Sequence, residues 1–110
     1  MTELLVDDAL TALAAHQVAA RWEQMGGNIG AVIVDIDRGA TEVAIGDSED
    51  LLTYSDGPRQ ALLGLYNAAV YTTDGDQLED LGEFGSAEEL ATAVRQALDR
   101  RAGSPSSERS

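Results

Sequence analysis

Three side chains are the candidates for acid–base chemistry: His16 and the acid pair Asp35 and Asp37. The two aspartates are two residues apart in a segment with strand-like alternation, so both carboxyl groups lie on one strand face. Such a pair binds a cation or exchanges protons with a substrate. The alternative is a solvated strand end that leads into a turn beside Arg38. For His16 the alternative is a surface or interface histidine, because the sequence places no nucleophile or orienting carboxylate next to it.

A second acidic group, from Asp74 to Asp80, has the composition of a calcium loop but not its spacing. An EF-hand loop needs glycine at its sixth position and glutamate at its twelfth, which here are Glu79 and Gly85. An Asp-Gly pair between two strand-like segments is instead typical of a hairpin turn. We therefore predict a β-hairpin tip at Asp74-Gly75 and no metal site.

Charge and residue types exclude several kinds of chemistry. The chain has 20 acidic residues, seven basic residues that are all arginine, no cysteine and a formal net charge of -13. A Walker A loop and Schiff-base chemistry both require lysine, and a thiolate site requires cysteine. The segment Gly26–Gly30 follows a predicted helix and precedes a strand, the reverse of a dinucleotide-binding fingerprint. No cofactor is implied, and the acidity disfavours nucleic acid, whose phosphates are bound by clustered Lys and Arg.

The charge balance also indicates what kind of cell the protein comes from. A composition rich in alanine and free of lysine fits either a high-GC genome or a halophilic cytoplasm, and the even spread of acids favours the halophile. Salt at about 1 M shortens the Debye length to about 3 Å and screens self-repulsion. The chain starts without a basic secretory region, and no apolar run reaches the roughly 20 residues that span a bilayer. We expect a cytoplasmic protein without membrane insertion.

The elements that must position these side chains begin with a predicted helix at residues 3–25, which Gly26-Gly27 ends. Its apolar stripe, at a period of 3.6, consists of Val6, Leu10, Leu13, Ala14, Val18, Trp22 and Met25. Strands are predicted at 29–37, 41–46 and 51–54. In the first of them, one face carries Val32, Val34 and Ile36 and the other carries Ala31 and Ile33.

The second half continues with a helix, a hairpin and a last helix. Pro58 suits the first position of a helix that runs to Tyr66, and strands at 69–73 and 77–81 flank the Asp-Gly turn. Ser86, with Glu89 three residues later, forms a capping box that starts the last helix.

The predicted fold is a single α+β domain over residues 1–101, with the order α-β-β-β-α-β-β-α. Consecutive hairpins in this order indicate one mostly antiparallel, five-stranded sheet, and the long helices must cover its faces. The last helix ends near residue 101. Residues 102–110 carry no apolar anchor and are predicted to form a disordered tail.

A further pattern of predicted elements appears when the second half of the chain is placed before the first half. The segment Ala69–Leu78 has an apolar strand, an Asp-Gly turn and a second strand, and the helix at 86–101 follows it. The first half supplies a helix with Ala19–Glu23, three strands and the helix at 58–66. In this circularly permuted order, nearly the whole chain resembles the roadblock (dynein light chain) domain: an opening hairpin and helix, a central helix with three strands, and a terminal helix.

The resemblance implies a profilin-like α/β/α sandwich that homodimerises and binds small GTPases or other regulatory proteins, without catalytic residues. Family dimers form largely through the central helix and the strand after it. The matching positions are Val18, Trp22 and Met25 on the helix and Ile33 on the strand, which we expect at a partner or dimer interface. Tryptophan is also enriched at binding hot spots in general, although packing of Trp22 and Met25 on the sheet is the alternative.

Three functions are therefore considered. The leading one is a non-enzymatic protein-interaction module, a homodimeric roadblock-like scaffold or small-GTPase regulator. The second is an acidic binding protein of another class, such as an immunity protein or a nucleic-acid mimic. The third is a small enzyme that uses Asp35, Asp37 and His16, which requires these groups to converge in a pocket.

Overall fold

The computed structural model describes residues 4–36 and 41–103, in which two helices and six strands form. These are α1 (Val6–Ala15), β1 (Arg21–Gln24), β2 (Ile29–Ile36), β3 (Thr41–Asp47), β4 (Leu52–Thr53), β5 (Tyr66–Thr72), β6 (Gln77–Phe84) and α2 (Ala87–Gly103). The strand order is β1-β2-β3-β5-β6, all pairs are antiparallel, and β4 pairs with β2. The predicted class, α+β with one antiparallel sheet, is confirmed, but the sheet has six strands in the described residues rather than five.

Strand alternation selects the side chains of the core. Val32 and Val34 of β2 stand opposite Ile45 and Val43 of β3, and all four are at most 2% exposed. The predicted face of β2 that carries Val32, Val34 and Ile36 is confirmed. Burying four aliphatic side chains of this size stabilises the fold by about 1.5–3 kcal/mol each.

Both helices pack on this same face of the sheet. Leu13 of α1 and Leu90 of α2 are fully buried in one cluster with the β2 and β3 side chains, and the helices contact each other. The prediction that helices cover both faces is therefore wrong for the described residues. Neither described helix is long and apolar enough to cross a membrane.

The first helix ends at Ala15, well before the predicted end near residue 25. Gln17 has a left-handed backbone with φ 63°, and the Val18 N–H donates to the Leu13 carbonyl at 2.8 Å. This is a Schellman C-cap, in which Gln17 occupies the position that glycine usually takes. Because glutamine and not glycine stands at this position, the sequence carries no signal that the helix ends here. Residues 21–24, predicted as the end of this helix, instead form strand β1.

Gly26-Gly27 therefore has a different role from the predicted one. It forms the turn between β1 and β2, where the two glycines have φ 99° and 57°. Positive φ costs glycine little because it lacks a Cβ. The pair reverses the chain between two strands and does not end a helix.

The helix predicted at residues 58–66 is absent, and this segment runs irregularly over the start of α1. The Asp7 N–H donates to the Pro58 carbonyl at 2.6 Å. The Gln60 side chain bonds both the N–H and the carbonyl of Thr53, at 3.0 and 2.7 Å. Backbone groups here pair with distant residues, so they do not form the i to i−4 bonds of a helix.

The hairpin at Asp74-Gly75 and the start of α2 are as predicted. Gly75 has φ 98°, and the Thr72 N–H donates to the Asp76 carbonyl at 2.8 Å, which joins β5 to β6. The Oγ of Ser86 accepts the Glu89 N–H at 3.1 Å, so Ser86 is the N-cap of α2. Of the predicted tail at 102–110, the first two residues extend α2, and the remainder lies outside the described residues.

Candidate functional site on the uncovered sheet face

The sheet face opposite the helices is covered by no other element among the described residues. By alternation, this uncovered face carries Arg21, Glu23, Ile29, Ala31, Ile33, Asp35, Glu42, Ala44, Gly46, Asn67, Ala69 and Tyr71. At its centre Ala44 stands between Ala69 and Ile33 on the neighbouring strands, and Ile33 is fully buried by the side chains around it. A face of this kind allows the backbone of another molecule to approach closely.

Two shallow depressions adjoin on the uncovered face, with volumes of about 210 and 410 Å³. They share Ala31, Ala44 and Tyr71 as lining residues. Leu51 borders the first and Met25 the second, and these two side chains are 67% and 46% exposed. The uncovered face thus combines a floor of small residues with large apolar side chains that stand free at its borders.

One end of the uncovered face carries a charge cluster around Arg21. Its guanidinium donates to Asp35 Oδ2 at 2.8 Å and to Glu23 Oε2 at 3.0 Å. These two carboxylates raise the pKa of Arg21, with Asp35 the larger cause. Glu42 stands directly opposite Asp35 on β3. Partial burial, followed by the charges of Glu23 and Asp35, raises the pKa of Glu42. Three carboxylates around one guanidinium leave an excess of negative charge, which a cationic group can complement.

The structure separates the four residues predicted to form an interface. Val18 is 3% exposed and belongs to the core beneath the helices, and Ile33 is fully buried on β2. Trp22 is half-buried on β1 on the helical side of the sheet, whereas Met25 is exposed and borders the uncovered face. The predicted helical stripe exists only in its first part, on α1, because the left-handed residue at position 17 ends the helix before Val18, Trp22 and Met25.

The acid–base group predicted from the sequence does not converge in the described residues. His16 lies at the end of α1, with its Nε2 2.6 Å from Oε2 of Glu88 on α2. Asp35 lies on the uncovered face in contact with Arg21, so the sheet separates it from His16. Asp37 lies outside the described residues. His16 therefore joins the two helices, and the convergence that an enzyme would need is not met by the two described members.

The acidic hairpin tip is a turn, as the sequence predicted. Asp74 and Asp76 flank Gly75 between β5 and β6, and both are exposed. Within residues 4–36 and 41–103, no three acidic or histidine side chains are grouped so that they could hold a metal ion.

Sequence reasoning missed the uncovered face as a site. Its floor residues Ala31, Ala44 and Ala69 read as ordinary small members of apolar strands. A signal was present, since small residues recur at the outward positions of three adjacent strands. Whether these residues form a site depends on which face of the sheet the helices cover.

Comparison of the chain with known protein families, curated proteins and solved structures finds no match in any of the three. The function is therefore argued from the geometry of the uncovered face.

Proposed function

We propose that this protein is a non-enzymatic interaction module that binds another protein through the uncovered face. The observation that carries the proposal is a sheet that, in the described residues, is covered by helices on one side only, with depressions on the other side whose floor is formed by Ala31, Ala44 and Ala69. Exposed apolar surface with a polar rim is typical of protein contact sites. Met25 and Leu51 at the borders add apolar area that a partner would bury.

The charges around the floor indicate the chemistry of the partner. Glu23, Asp35 and Glu42 outnumber Arg21 at one end, and Asp50 lines the depression at the other. The whole chain carries a net charge of -13. We therefore propose a partner with an apolar centre and a basic rim, since complementary charge accelerates encounter and rejects wrong partners.

The roadblock resemblance supports the same class of function. Family modules bind small GTPases or other regulatory proteins, and we propose a roadblock-like scaffold or GTPase regulator on that basis. The support consists of the hairpin from β5 to β6 and the helix α2 that follows it. The segments matched to the central and terminal helices of the family are strand β1 and an irregular segment here, so they lend no support.

A second candidate is favoured by the carboxylates themselves. An acidic binding protein, such as an immunity protein or a nucleic-acid mimic, presents carboxylates to a basic site on its target. The group of Glu23, Asp35 and Glu42 on one flat face has this character. The identity of the partner separates the two candidates: a GTPase supports the first, and a protein that duplex DNA displaces supports the second.

Replacing Ala44 with arginine is expected to weaken partner binding about tenfold or more, equivalent to about 1.4 kcal/mol. The new side chain fills the floor of both depressions and places a positive charge where the apolar centre of the partner would pack. The partner is first captured from extract of the host cell and identified, and its affinity for each variant is then measured by calorimetry.

Ala14→Arg is the matched control for this experiment. Ala14 is exposed in the last turn of α1, where a cation is favourable, and the substitution makes the same change in net charge. It is expected to bind the partner as the unchanged protein does. Equal affinities for Ala44→Arg and Ala14→Arg would show that the uncovered face is not the binding surface.

A further inference from the structure

Strand β1 lies at one edge of the sheet, and its outer side pairs with no other strand in the described residues. It pairs with β2 over residues 21–24 without a bulge. The opposite edge, β6, is interrupted by two irregularities in its pairing with β5, a feature that blunts an edge against further pairing. An unpaired, regular strand presents free N–H and C=O groups to which another strand can bind. Of the two edges, β1 is therefore the one suited to accept a strand.

The hydrogen bonding between β1 and β2 shows which backbone groups are free. The Met25 N–H donates to the Ile29 carbonyl at 2.7 Å. In an antiparallel pair such bonds recur at every second residue. Counting back from Met25, alternate residues of β1 turn their backbone toward β2. Trp22 and Gln24 lie between them and turn their N–H and C=O groups to the open edge.

The side chains of β1 are charged in a pattern that complements itself. Arg21 and Glu23 lie on the uncovered face on either side of Trp22, whose side chain is on the helical side. When two antiparallel copies of β1 pair with Trp22 opposite Trp22, Arg21 of each copy stands opposite Glu23 of the other. A shift that centres the pair on Arg21 or on Glu23 sets like charges opposite each other, which is destabilising. The charges therefore select the register centred on Trp22.

We propose that a second copy of this chain pairs with the β1 edge in antiparallel orientation, with the two-fold axis at Trp22. The contact is isologous and joins two sheets into one continuous sheet. Each Trp22 is half-buried and stacked on its own Tyr54 with ring centroids 5.8 Å apart, and it gains the other copy's Trp22 as a neighbour. This dimer goes beyond the proposed function, because it leaves the uncovered face of both copies free for another protein.

The net charge determines the conditions under which the dimer forms. Each copy carries -13, so two copies repel each other over long distances at low salt. At about 1 M salt the Debye length is about 3 Å, which screens this repulsion but leaves contact pairs between Arg21 and Glu23 less affected. Association is therefore expected to strengthen from low salt to high salt.

Sedimentation equilibrium at high salt is expected to show a dimer for the full chain and a monomer for Gln24→Pro. Proline removes an N–H that points to the open edge, breaks no bond to β2, and is tolerated on edge strands. Gln24→Ala retains that N–H and is expected to remain a dimer. A monomeric full chain, or a dimer that persists in Gln24→Pro, overturns the proposal.

A charge exchange tests the register. Arg21→Glu places glutamate at both positions, and Glu23→Arg places arginine at both, so each variant alone is expected to be monomeric. An equimolar mixture is expected to dimerise, because every glutamate then meets an arginine of the other chain. Circular dichroism establishes that both variants are folded. Two folded variants that dimerise alone as strongly as in the mixture would overturn the register centred on Trp22.

Discussion

Replacing Gly30 with alanine is expected to lower the free energy of unfolding by about 1–3 kcal/mol and to shift Trp22 fluorescence to longer wavelength. A Cβ at position 30 would overlap the six-membered ring of Trp22 and lie 3.1 Å from the Cα of Tyr54. The indole must then leave its stack on Tyr54 and move toward water. Trp22 is the only tryptophan of the chain, so its emission reports this movement directly. Urea unfolding followed by circular dichroism measures the free energy.

Gly46→Ala is the matched control for this substitution. Gly46 lies on the neighbouring strand β3, and a Cβ there meets no atom within 4 Å. Alanine at this position is expected to leave the fluorescence unchanged and the stability unchanged or slightly raised, since glycine weakens a strand interior. Equal behaviour of the two variants would show that contact with Trp22 does not constrain position 30.

Between about pH 10 and about pH 12, the protein is expected to lose about 2–3 kcal/mol of stability that a Tyr66→Phe variant does not lose. Tyr66 is 1% exposed, and its hydroxyl donates to the Leu5 carbonyl at 2.6 Å. Burial, followed by the negative charge of Asp8, raises the pKa of Tyr66 to about 12. The chain has no lysine or cysteine, so tyrosine is the side chain that titrates in this window.

The direction of this pH dependence follows from proton binding in the two states. The unfolded chain releases the Tyr66 proton near its ordinary pKa of 10.0, whereas the folded chain keeps it to about 12. The folded state therefore binds more protons between these values, and stability falls as pH rises. The contribution is fully present below about pH 10 and is lost as the pH rises through the folded pKa.

Urea unfolding at several pH values compares the variants. Near about pH 8, Tyr66→Phe is expected to be less stable by about 1 kcal/mol, because the Leu5 carbonyl loses its hydrogen bond. Because the unchanged protein loses about 2–3 kcal/mol as the pH rises, this gap closes and then reverses, so that Tyr66→Phe becomes the more stable protein at about pH 12. Tyr71→Phe is the control, because Tyr71 is half-exposed on the uncovered face and its removal leaves Tyr66 in place. A gap that stays constant over the whole range would contradict the raised pKa of Tyr66.

The predictions that held were those in which neighbouring residues determine the outcome. The alternation of the sequence predicts that Val32 and Val34 share one face of β2, because successive strand side chains point to opposite sides. The Ser86 cap and the Asp74-Gly75 turn hold for a similar reason, since their hydrogen bonds join residues three or four positions apart. Which residues belong together in each of these features does not depend on where the rest of the chain packs.

The predictions that failed depended on distant contacts. The Schellman cap at Gln17 is supported by burial of Leu13 and Val18 in the shared core, which compensates for a left-handed residue other than glycine. The segment at 58–66 has an apolar pattern that also suits a helix. Its Leu63 N–H instead donates to the carboxylate of Asp47 at 2.7 Å, a partner that spacing along the chain does not reveal.

The candidate site shows the same division. Local pattern established that Ala31 and Ile33 lie on one strand face and that the chain is strongly acidic, and it excluded chemistry that needs lysine or cysteine. Packing decided that both helices cover the opposite face, and the early end of α1 turned Trp22 from a helical residue into the centre of an edge strand. The physical reason is that either face of an isolated strand could receive the helices. Burial of Leu13 and Leu90, which are distant from the strands in sequence, selects the face that the helices cover.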